Sequence, residues 1–340
     1  MTIKHIVLAG GAYNGLYTIG VINCLLEENI LDLQKIESVY GTSVGALIGV
    51  LICLECDWAT MLNYIIHRPW EKVLHVEPDM ILNMIANKGI LDDAFFKTFY
   101  SNIFLAKNIS LDITLKDFYE ETNKKFNIFA TDVNSLEVYK MNYKDTPDIK
   151  LIDAVYASCA LPFIFKPKTI NEKLLIDGGI NYNYPLDFCI NNGALKSEVM
   201  GIDIRTNIKS KVHINENTNI LYFGFHLFTS LIYKNIQRPT HKIKNEVIIP
   251  CQPTNIESAI EIVKNKQKRQ EMILKGEEYG KLFLTYKEIN NLDSNNVSDP
   301  DSDPDPDSDP DPDSDPDSDP DSDPDPDPDS DPDAKSYRVK

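Results

Sequence analysis

This 340-residue sequence contains no long apolar run. No uninterrupted apolar stretch reaches the roughly 18 residues that a membrane-spanning helix needs, so we expect no transmembrane segment. Only five or six apolar residues follow residues 1–4, which is too few for a secretory signal peptide. We therefore expect a cytoplasmic protein that reaches membranes only peripherally.

The six cysteines lack the spacing of a metal site. They stand at positions 24, 53, 56, 159, 189 and 251, and a single C-x-x-C pair is formed by Cys53 and Cys56. A structural zinc site needs a second pair or histidines at matching spacing. Core thiols in a reducing compartment are the better interpretation. We expect no metal ion, no cofactor and no nucleic-acid partner.

Acidic charge is abundant but confined to one end of the chain. In residues 299–333 every odd position is aspartate and every even position is proline or serine. These 18 carboxylates contribute a charge of −18, which is also the net charge of the whole chain. Three cations after residue 333 add +3, so residues 1–298 carry a net charge of only −3. Such a repeat buries no apolar surface and cannot offset its ordering entropy. We expect a globular domain over residues 1–290 and a disordered acidic tail over residues 291–340. The tail would act as a solvated spacer or as a weak binder of Ca²⁺ or a basic partner.

Strand and helix patterns alternate along the globular part. Compact apolar runs and helical spacings predict strands at residues 3–9, 38–40, 127–131, 136–141, 174–176 and 198–204, and helices at residues 16–28, 43–54, 153–158 and 257–279. Alternation of this kind predicts an α/β layered fold whose sheet is partly parallel.

Residues 41–45 have the G-x-S-x-G form between a strand and an apolar helix. Gly41 and Gly45 permit a sharp turn that presents the Ser43 hydroxyl at the helix N-terminus, where backbone N–H groups favour a developing oxyanion. Taken alone, the pattern also fits a glycine-flanked turn that ends a buried strand. Only other parts of the sequence can indicate whether Ser43 is a nucleophile or part of an ordinary turn.

A second glycine turn, residues 10–15 with the sequence GGAYNG, joins the first strand to the first helix. A dinucleotide-binding loop would have glycine where Ala12 stands, so a nucleotide site is the weaker interpretation. The same backbone can instead present successive N–H groups to the oxyanion of a tetrahedral intermediate. Adjacent parallel strands would open this turn and the Ser43 turn at one edge of the sheet.

A third segment supplies a carboxylate that can act together with Ser43 and the glycine loop. Residues 174–176 lead into Asp177-Gly178-Gly179, which in isolation fits a hairpin turn. With the two glycine turns, it resembles the patatin-like phospholipase family, whose members have a glycine-rich loop, a G-x-S-x-G elbow and a D-G-[GA] turn in this order. Residues 129–132 (FATD) and 157–167 (ASCALPFIFKP) are similar to further segments of that family. The resemblance covers roughly residues 3–205.

The resemblance implies a three-layer α/β sandwich with a mostly parallel central sheet flanked by helices. It implies a serine–aspartate dyad, with Ser43 as the nucleophile and Asp177 as the base. The matching loop residues for the oxyanion hole are Gly10, Gly11 and Ala12, and the supporting motif glycines are Gly15, Gly41, Gly45, Gly178 and Gly179. The implied activity is that of a lipid acyl hydrolase, of phospholipase A or esterase type. It would act on a lipid substrate at a membrane surface through a covalent acyl-Ser43 intermediate.

Two positions depart from the family pattern and leave alternatives open. Ala12 stands where a third glycine is usual, and Asn14 stands where Lys or Arg is usual. Alanine keeps its N–H but disfavours positive φ, so a loop that needs positive φ there would be impaired. A non-catalytic lipid-binding or scaffold protein is the resulting alternative. Among hydrolases, the rival is a Ser-His-Asp triad through His213, His226 or His241.

An apolar run at residues 220–232 (ILYFGFHLFTSLI) has three interpretations. It forms a helix buried against the sheet, lines an acyl groove, or presents an interfacial face. A basic stretch follows it, comprising Lys234, Arg238, His241, Lys242 and Lys244. This basic stretch either contacts anionic lipid headgroups or is simply exposed to solvent.

Overall fold

The computed structural model describes residues 2–74, 80, 84–206, 214–218 and 220–296. His213 and the acidic repeat lie outside these residues, so the proposed state and role of the tail stay predictions. The chain divides into one unit from Met1 to Ser294 and a second from Asn295 to Lys340. The first unit contains the sheet and the candidate site.

The strands of the described residues are β1 (His5–Leu8), β2 (Ser38–Thr42), β3 (Gly89–Leu91), β4 (Lys125–Asp132), β5 (Val138–Met141), β6 (Phe163–Phe165), β7 (Lys168–Ile170), β8 (Lys173–Asp177), β9 (Val199–Thr206) and β10 (Glu246–Cys251). Eight of them form one sheet of order β10-β9-β1-β2-β4-β8-β7, with β5 paired to β4. The five strands from β10 to β4 are parallel, whereas β5 and β8 run antiparallel to β4, and β7 antiparallel to β8. A separate parallel pair joins β3 to β6.

The helices of the same residues are α1 (Gly15–Glu27), α2 (Val44–Cys53), α3 (Trp58–His67), α4 (Met84–Asn87), α5 (Ala94–Ala106), α6 (Leu115–Thr122), α7 (Leu151–Ser158), α8 (Leu186–Asn191), α9 (Ile220–Asn235), α10 (Ile256–Lys264) and α11 (Lys266–Asn296). Ile6, Val7 and Leu8 of β1 are fully buried although successive side chains point to opposite faces. Both faces of the central strands are therefore covered, as expected for a parallel sheet. The predicted α/β fold, with a mostly parallel sheet flanked by helices, is confirmed.

The strand register brings three chain segments to one edge of the sheet. β1 and β2 are parallel neighbours, with Leu8 opposite Gly41, so the turns that follow them open side by side. β8 runs against β4 and ends at Asp177, opposite Ala130. Ala130 follows Phe129, which pairs with Thr42 at the end of β2. An antiparallel strand thus delivers Asp177 to the edge at which β2 ends.

The helix predicted over residues 257–279 is two helices, separated by an extended Asn265 with φ −114° and ψ 104°. Leu274 is 50% exposed, whereas Met272 and Ile273 are buried. The inner face of α11 is set by its close packing on α1. A Cβ atom on Gly20 would lie only 1.9 Å from the carbonyl oxygen of Ile273, so glycine is required at that crossing.

Neither spanning helices nor clustered metal ligands are found in the part of the chain that the structure describes. No helix there has both the length and the apolar character to cross a bilayer. Within the same residues, no three His, Cys, Asp or Glu side chains are grouped as metal ligands would be. All six cysteines are buried free thiols, and they pack as small apolar side chains.

Candidate active site

Ser43 occupies a sharp turn between β2 and α2. Its backbone has φ 55° and ψ −126°, a left-handed conformation that a residue with a Cβ atom rarely adopts. Such strain costs about 1–3 kcal/mol and persists only where the surrounding structure enforces it. Gly45 is part of that enforcement, because a Cβ atom there would lie 2.4 Å from the carbonyl oxygen of Leu8 in β1. The turn is pressed against its neighbouring strand, with the serine at its apex.

The side chains of Ser43 and Asp177 meet at this edge. Ser43 Oγ donates a hydrogen bond to Asp177 Oδ2 at 2.6 Å, and Asp177 Oδ1 accepts one from the Gly179 N–H at 2.7 Å. Thr131 Oγ1 donates to the Asp177 carbonyl oxygen at 3.1 Å and fixes the strand end. Ser43 and Asp177 are each only 6% exposed. The arrangement can pass the Ser43 proton directly to a carboxylate.

Burial sets the electrostatics of the pair. Loss of water around Asp177 raises the pKa of its carboxyl from 3.8 to about 6, although the hydrogen bonds from Ser43 and Gly179 favour the charged form. A higher pKa makes Asp177 a stronger base than an exposed aspartate, while it stays ionised at neutral pH. Cys159 lies beside the pair, and burial together with the charge of Asp177 raises the pKa of its thiol well above 9.0. Cys159 therefore stays a neutral thiol.

The glycine loop lies directly over Ser43. A Cβ atom on Gly10 would come within 3.0 Å of the Ser43 Cβ. Asn183 forms two hydrogen bonds with Gly10. The Gly10 N–H donates to the Asn183 carbonyl oxygen at 3.1 Å, and Asn183 Nδ2 donates to the Gly10 carbonyl oxygen at 3.0 Å. The N–H groups of Gly11 and Ala12 have no acceptor among the described residues. These two donors remain free for a ligand, whereas the Gly10 N–H is engaged.

Ala12 adopts the conformation that alanine disfavours. Its φ is 50°, so the position usually held by glycine in the family does require positive φ in this chain. The N–H is nevertheless retained, and Ala12 starts the short 3₁₀ turn Ala12–Asn14 that leads into α1. The cost for a non-glycine residue in this region is of order 1–2 kcal/mol. The loop is therefore formed, but under local strain.

Ser158 and Asn183 have no role assigned from sequence, yet both hold the site together. The fully buried Ser158 Oγ accepts a hydrogen bond from the Ser43 N–H at 2.9 Å and donates one to the Phe129 carbonyl oxygen at 2.5 Å. Asn183 fixes Gly10 as described above. Their only sequence signal is their place in the segments at residues 157–167 and 177–185, since a contact across more than a hundred positions leaves no local pattern.

The histidines of the rival triad lie elsewhere. His226 Nε2 is 3.5 Å from Ser230 Oγ on its own helix, and His241 Nδ1 is 2.8 Å from Asp187 Oδ1. Neither has Ser43 or Asp177 as a hydrogen-bond partner. His213 lies outside the described residues. In this part of the chain the partner of Ser43 Oγ is a carboxylate.

The sequence was also compared with known families and proteins. A family model described as patatin-like phospholipase matches residues 6–190, more than half of the chain, and includes the glycine loop, Ser43 and Asp177. The chain belongs to the patatin-like phospholipase family. The expected family membership is thereby confirmed.

Individual relatives of this patatin-like chain include proteins named as lipid hydrolases. It is 30% identical over 190 residues to "Probable lipid hydrolase 463L" of Invertebrate iridescent virus 6, which covers 55% of this chain and 63% of the relative. It is 28% identical over 176 residues to "Triacylglycerol lipase 4" of Saccharomyces cerevisiae, covering 49% of this chain and 19% of that protein. Among solved structures, VipD from Legionella pneumophila has a TM-score of 0.49 at 16% identity, over 84% of this chain and 67% of VipD. The chain spans less than two thirds of the length of the two named lipid hydrolases.

Proposed function

We propose that this protein is a lipid acyl hydrolase that cleaves carboxylic esters through a covalent acyl-Ser43 intermediate. The observation that carries the proposal is the 2.6 Å hydrogen bond from Ser43 Oγ to Asp177 Oδ2 in a buried site. Membership of the patatin-like phospholipase family and relatives named as lipid hydrolases support the substrate class. Both the phospholipase A type and the neutral lipase type lie within this proposal.

In the acylation step, Asp177 accepts the Ser43 proton while Oγ forms a bond to the ester carbonyl carbon. A serine hydroxyl is a weak nucleophile until such a base removes its proton, and the raised pKa of Asp177 suits it for this role. The tetrahedral intermediate then expels the alcohol, which takes the proton from Asp177. The products of this half-reaction are the free alcohol and acyl-Ser43.

The Gly11 and Ala12 N–H groups are the proposed donors to the oxyanion. They lack acceptors among the described residues, and the loop that carries them lies over Ser43. Gly10, expected as a third donor, instead fixes the loop through its two hydrogen bonds to Asn183. Removing one such donor from other hydrolases lowers kcat by about 10²–10³-fold.

In deacylation a water molecule is the nucleophile, and Asp177 again acts as the base. Asp177 takes a proton from a water molecule, the hydroxide oxygen forms a bond to the acyl carbon, and the Ser43–acyl bond breaks. The proton on Asp177 then returns to Ser43 Oγ, which restores the resting dyad. One carboxylate therefore serves both half-reactions, and no histidine is required.

The alternative is a non-catalytic lipid-binding protein, favoured by the strained Ala12 in the oxyanion loop. A fluorophosphonate probe, which forms a bond only to an activated serine, separates the two functions. We expect the wild-type chain to be labelled and Ser43→Ala to be unlabelled, with Ser38→Ala, another buried serine on β2, labelled as the wild type. An unlabelled wild type, or equal labelling of Ser43→Ala, would overturn the catalytic proposal.

A further inference from the structure

The outer face of α9 is apolar and exposed to solvent. Ile220, Phe223 and Leu227 are 77%, 44% and 48% exposed, and their spacing of three and four residues places them on one side of the helix. The inner side is formed by Phe225 and Thr229, which are buried. One side of α9 is therefore buried and the other faces solvent. A stripe of large apolar side chains on a surface marks a site that contacts another apolar phase or molecule.

Two contacts fix this helix beside the candidate active site. The rings of Phe228 and Phe163 meet edge to face with centroids 5.5 Å apart, and Phe163 belongs to the segment that follows the end of α7 near Ser43. Just beyond α9, Gln237 Nε2 donates to Asn181 Oδ1 at 3.0 Å, in the turn that follows Asp177. Phe163 is itself 38% exposed and extends the apolar surface toward the site. Both contacts therefore join α9 and the residues after it to chain segments that also border Ser43 and Asp177.

Exposed lysines follow the apolar stripe in the sequence. Lys234, Lys242 and Lys244 are exposed, and none has an ion-pair partner among the described residues. Arg238, by contrast, is 3.6 Å from the buried Asp203 and is partly neutralised there. Lys234 lies on α9 itself, seven residues after Leu227 and therefore on the side of the stripe, and an exposed lysine beside an apolar helix face is attracted to anionic headgroups.

We propose that the outer face of α9 is a docking surface for an anionic phospholipid bilayer, with Ile220, Phe223 and Leu227 inserted at the headgroup level. The helix lies in the plane of the bilayer, as amphipathic interfacial helices do, and Lys234 contacts phosphate groups. The inference rests on the proposed function, since it supplies the lipid surface on which that site would act.

Vesicle sedimentation with the full-length chain tests the proposal. All proteins carry Ser43→Ala, so binding is measured without turnover, and the vesicles are phosphatidylcholine with phosphatidylglycerol. We expect the pair Phe223→Ser and Leu227→Ser to lower the partition coefficient by roughly tenfold or more, because two large apolar side chains no longer insert. The matched control is Leu105→Ser with Leu195→Ser, two leucines that are 79% and 62% exposed elsewhere, and it should bind as the parent does. Ile220→Ser, at the first residue of α9, serves as a second variant should the pair unfold.

A charge variant, Lys234→Gln, should weaken binding to the anionic vesicles and leave binding to pure phosphatidylcholine unchanged. Equal binding of the stripe and control variants would overturn the proposal, as would a parent chain that does not bind. A dimer in light scattering that the stripe variant converts to monomer would assign the face to a second copy instead. A wild-type chain that fluorophosphonate does not label, together with intact vesicle binding of the Ser43→Ala parent, would count against the proposed catalysis alone.

Discussion

The backbone N–H of Ser43 donates a hydrogen bond to the hydroxyl oxygen of Ser158, 2.9 Å away, although the two residues are 115 positions apart. The same hydroxyl donates to the Phe129 carbonyl oxygen, so Ser158 links the turn that bears Ser43 to the neighbouring strand β4. This bond satisfies an N–H at the most strained point of the site. It also keeps the Ser43 N–H away from an oxyanion, which leaves that role to the glycine loop.

Replacing Ser158 with alanine removes this link. The Ser43 N–H and the Phe129 carbonyl would both be buried without a partner, at a cost of about 1–3 kcal/mol in the free energy of unfolding. We expect kcat on a soluble ester to fall by roughly 10–100-fold with KM little changed, because Ser43 loses its fixed geometry. Ser38→Ala, which removes the buried hydroxyl that contacts His5 at the other end of β2, should lower stability but leave kcat unchanged. Equal kcat values for the two variants would show that Ser158 is merely structural.

Asp177→Asn should make the protein more stable at alkaline pH while ester turnover is lost. The folded-state pKa is raised from 3.8 to about 6, so the carboxyl group stabilises the fold below the unfolded pKa and that contribution is lost as the pH rises through about 6. At about pH 8 the wild type bears a buried charge that costs on the order of 1–3 kcal/mol, and asparagine carries none. Denaturant unfolding at about pH 8 and again at about pH 4 measures this difference, which should shrink in acid. A variant less stable than the wild type at both pH values would contradict the argument.

The pH dependence of turnover should follow the ionisation of Asp177. We expect kcat/KM on a soluble ester to be constant above neutrality and to fall about tenfold per pH unit below about pH 6, because the protonated carboxyl cannot accept the Ser43 proton. A histidine base would titrate in a similar range, so the profile is repeated with His226→Gln and with His241→Gln. An acidic limb that is unchanged in both variants supports the carboxylate. If the acidic limb disappeared in either variant, the result would instead support a histidine base and therefore the Ser-His-Asp triad.

Ala12→Gly should relieve the strain of the glycine loop. Ala12 has φ 50°, a conformation that glycine adopts without a Cβ penalty, so we expect a gain of about 1 kcal/mol in the free energy of unfolding. The N–H donor is retained, and kcat should not fall. Ala9→Gly, at the residue directly before the loop, removes a buried methyl group without relieving strain and should destabilise the protein. Thermal unfolding of the two variants decides between strain and simple truncation, and a destabilised Ala12→Gly would argue against strain.

Much of the site was predictable because its chemistry lies in turns with strong local signatures. Glycines on both sides of Ser43, a glycine loop after β1 and a glycine pair after Asp177 each follow an apolar strand. Parallel pairing of β1 with β2 then places the first two turns at one edge, whatever the rest of the chain does. The third depends on the register of antiparallel β8 on β4, which the sequence does not state.

Other features could not be predicted because they depend on packing between distant segments. The break at Asn265 and the approach of α11 to Gly20 are decided by which face of the helix meets α1. The strand β10 was not predicted, because its run of Val247, Ile248 and Ile249 is short and is followed by Pro250, which is tolerated here since β10 is an edge strand. The orientation of α9 was open for a similar reason: its residues are apolar nearly all round, so periodicity alone cannot tell the inner face from the outer one.

By itself, the sequence determined the α/β alternation and the family resemblance, and the resemblance implied Ser43 and Asp177 as the proposed dyad, because the apolar strands and glycine turns that carry it are local patterns. Tertiary structure alone decided how the dyad is held and tuned. Burial raises the pKa of Asp177, Ser158 and Asn183 reach across the chain to hold Ser43 and Gly10, and Ala12 is forced to positive φ. These properties arise from desolvation and from contacts between residues far apart in sequence, and neither is encoded in any local pattern.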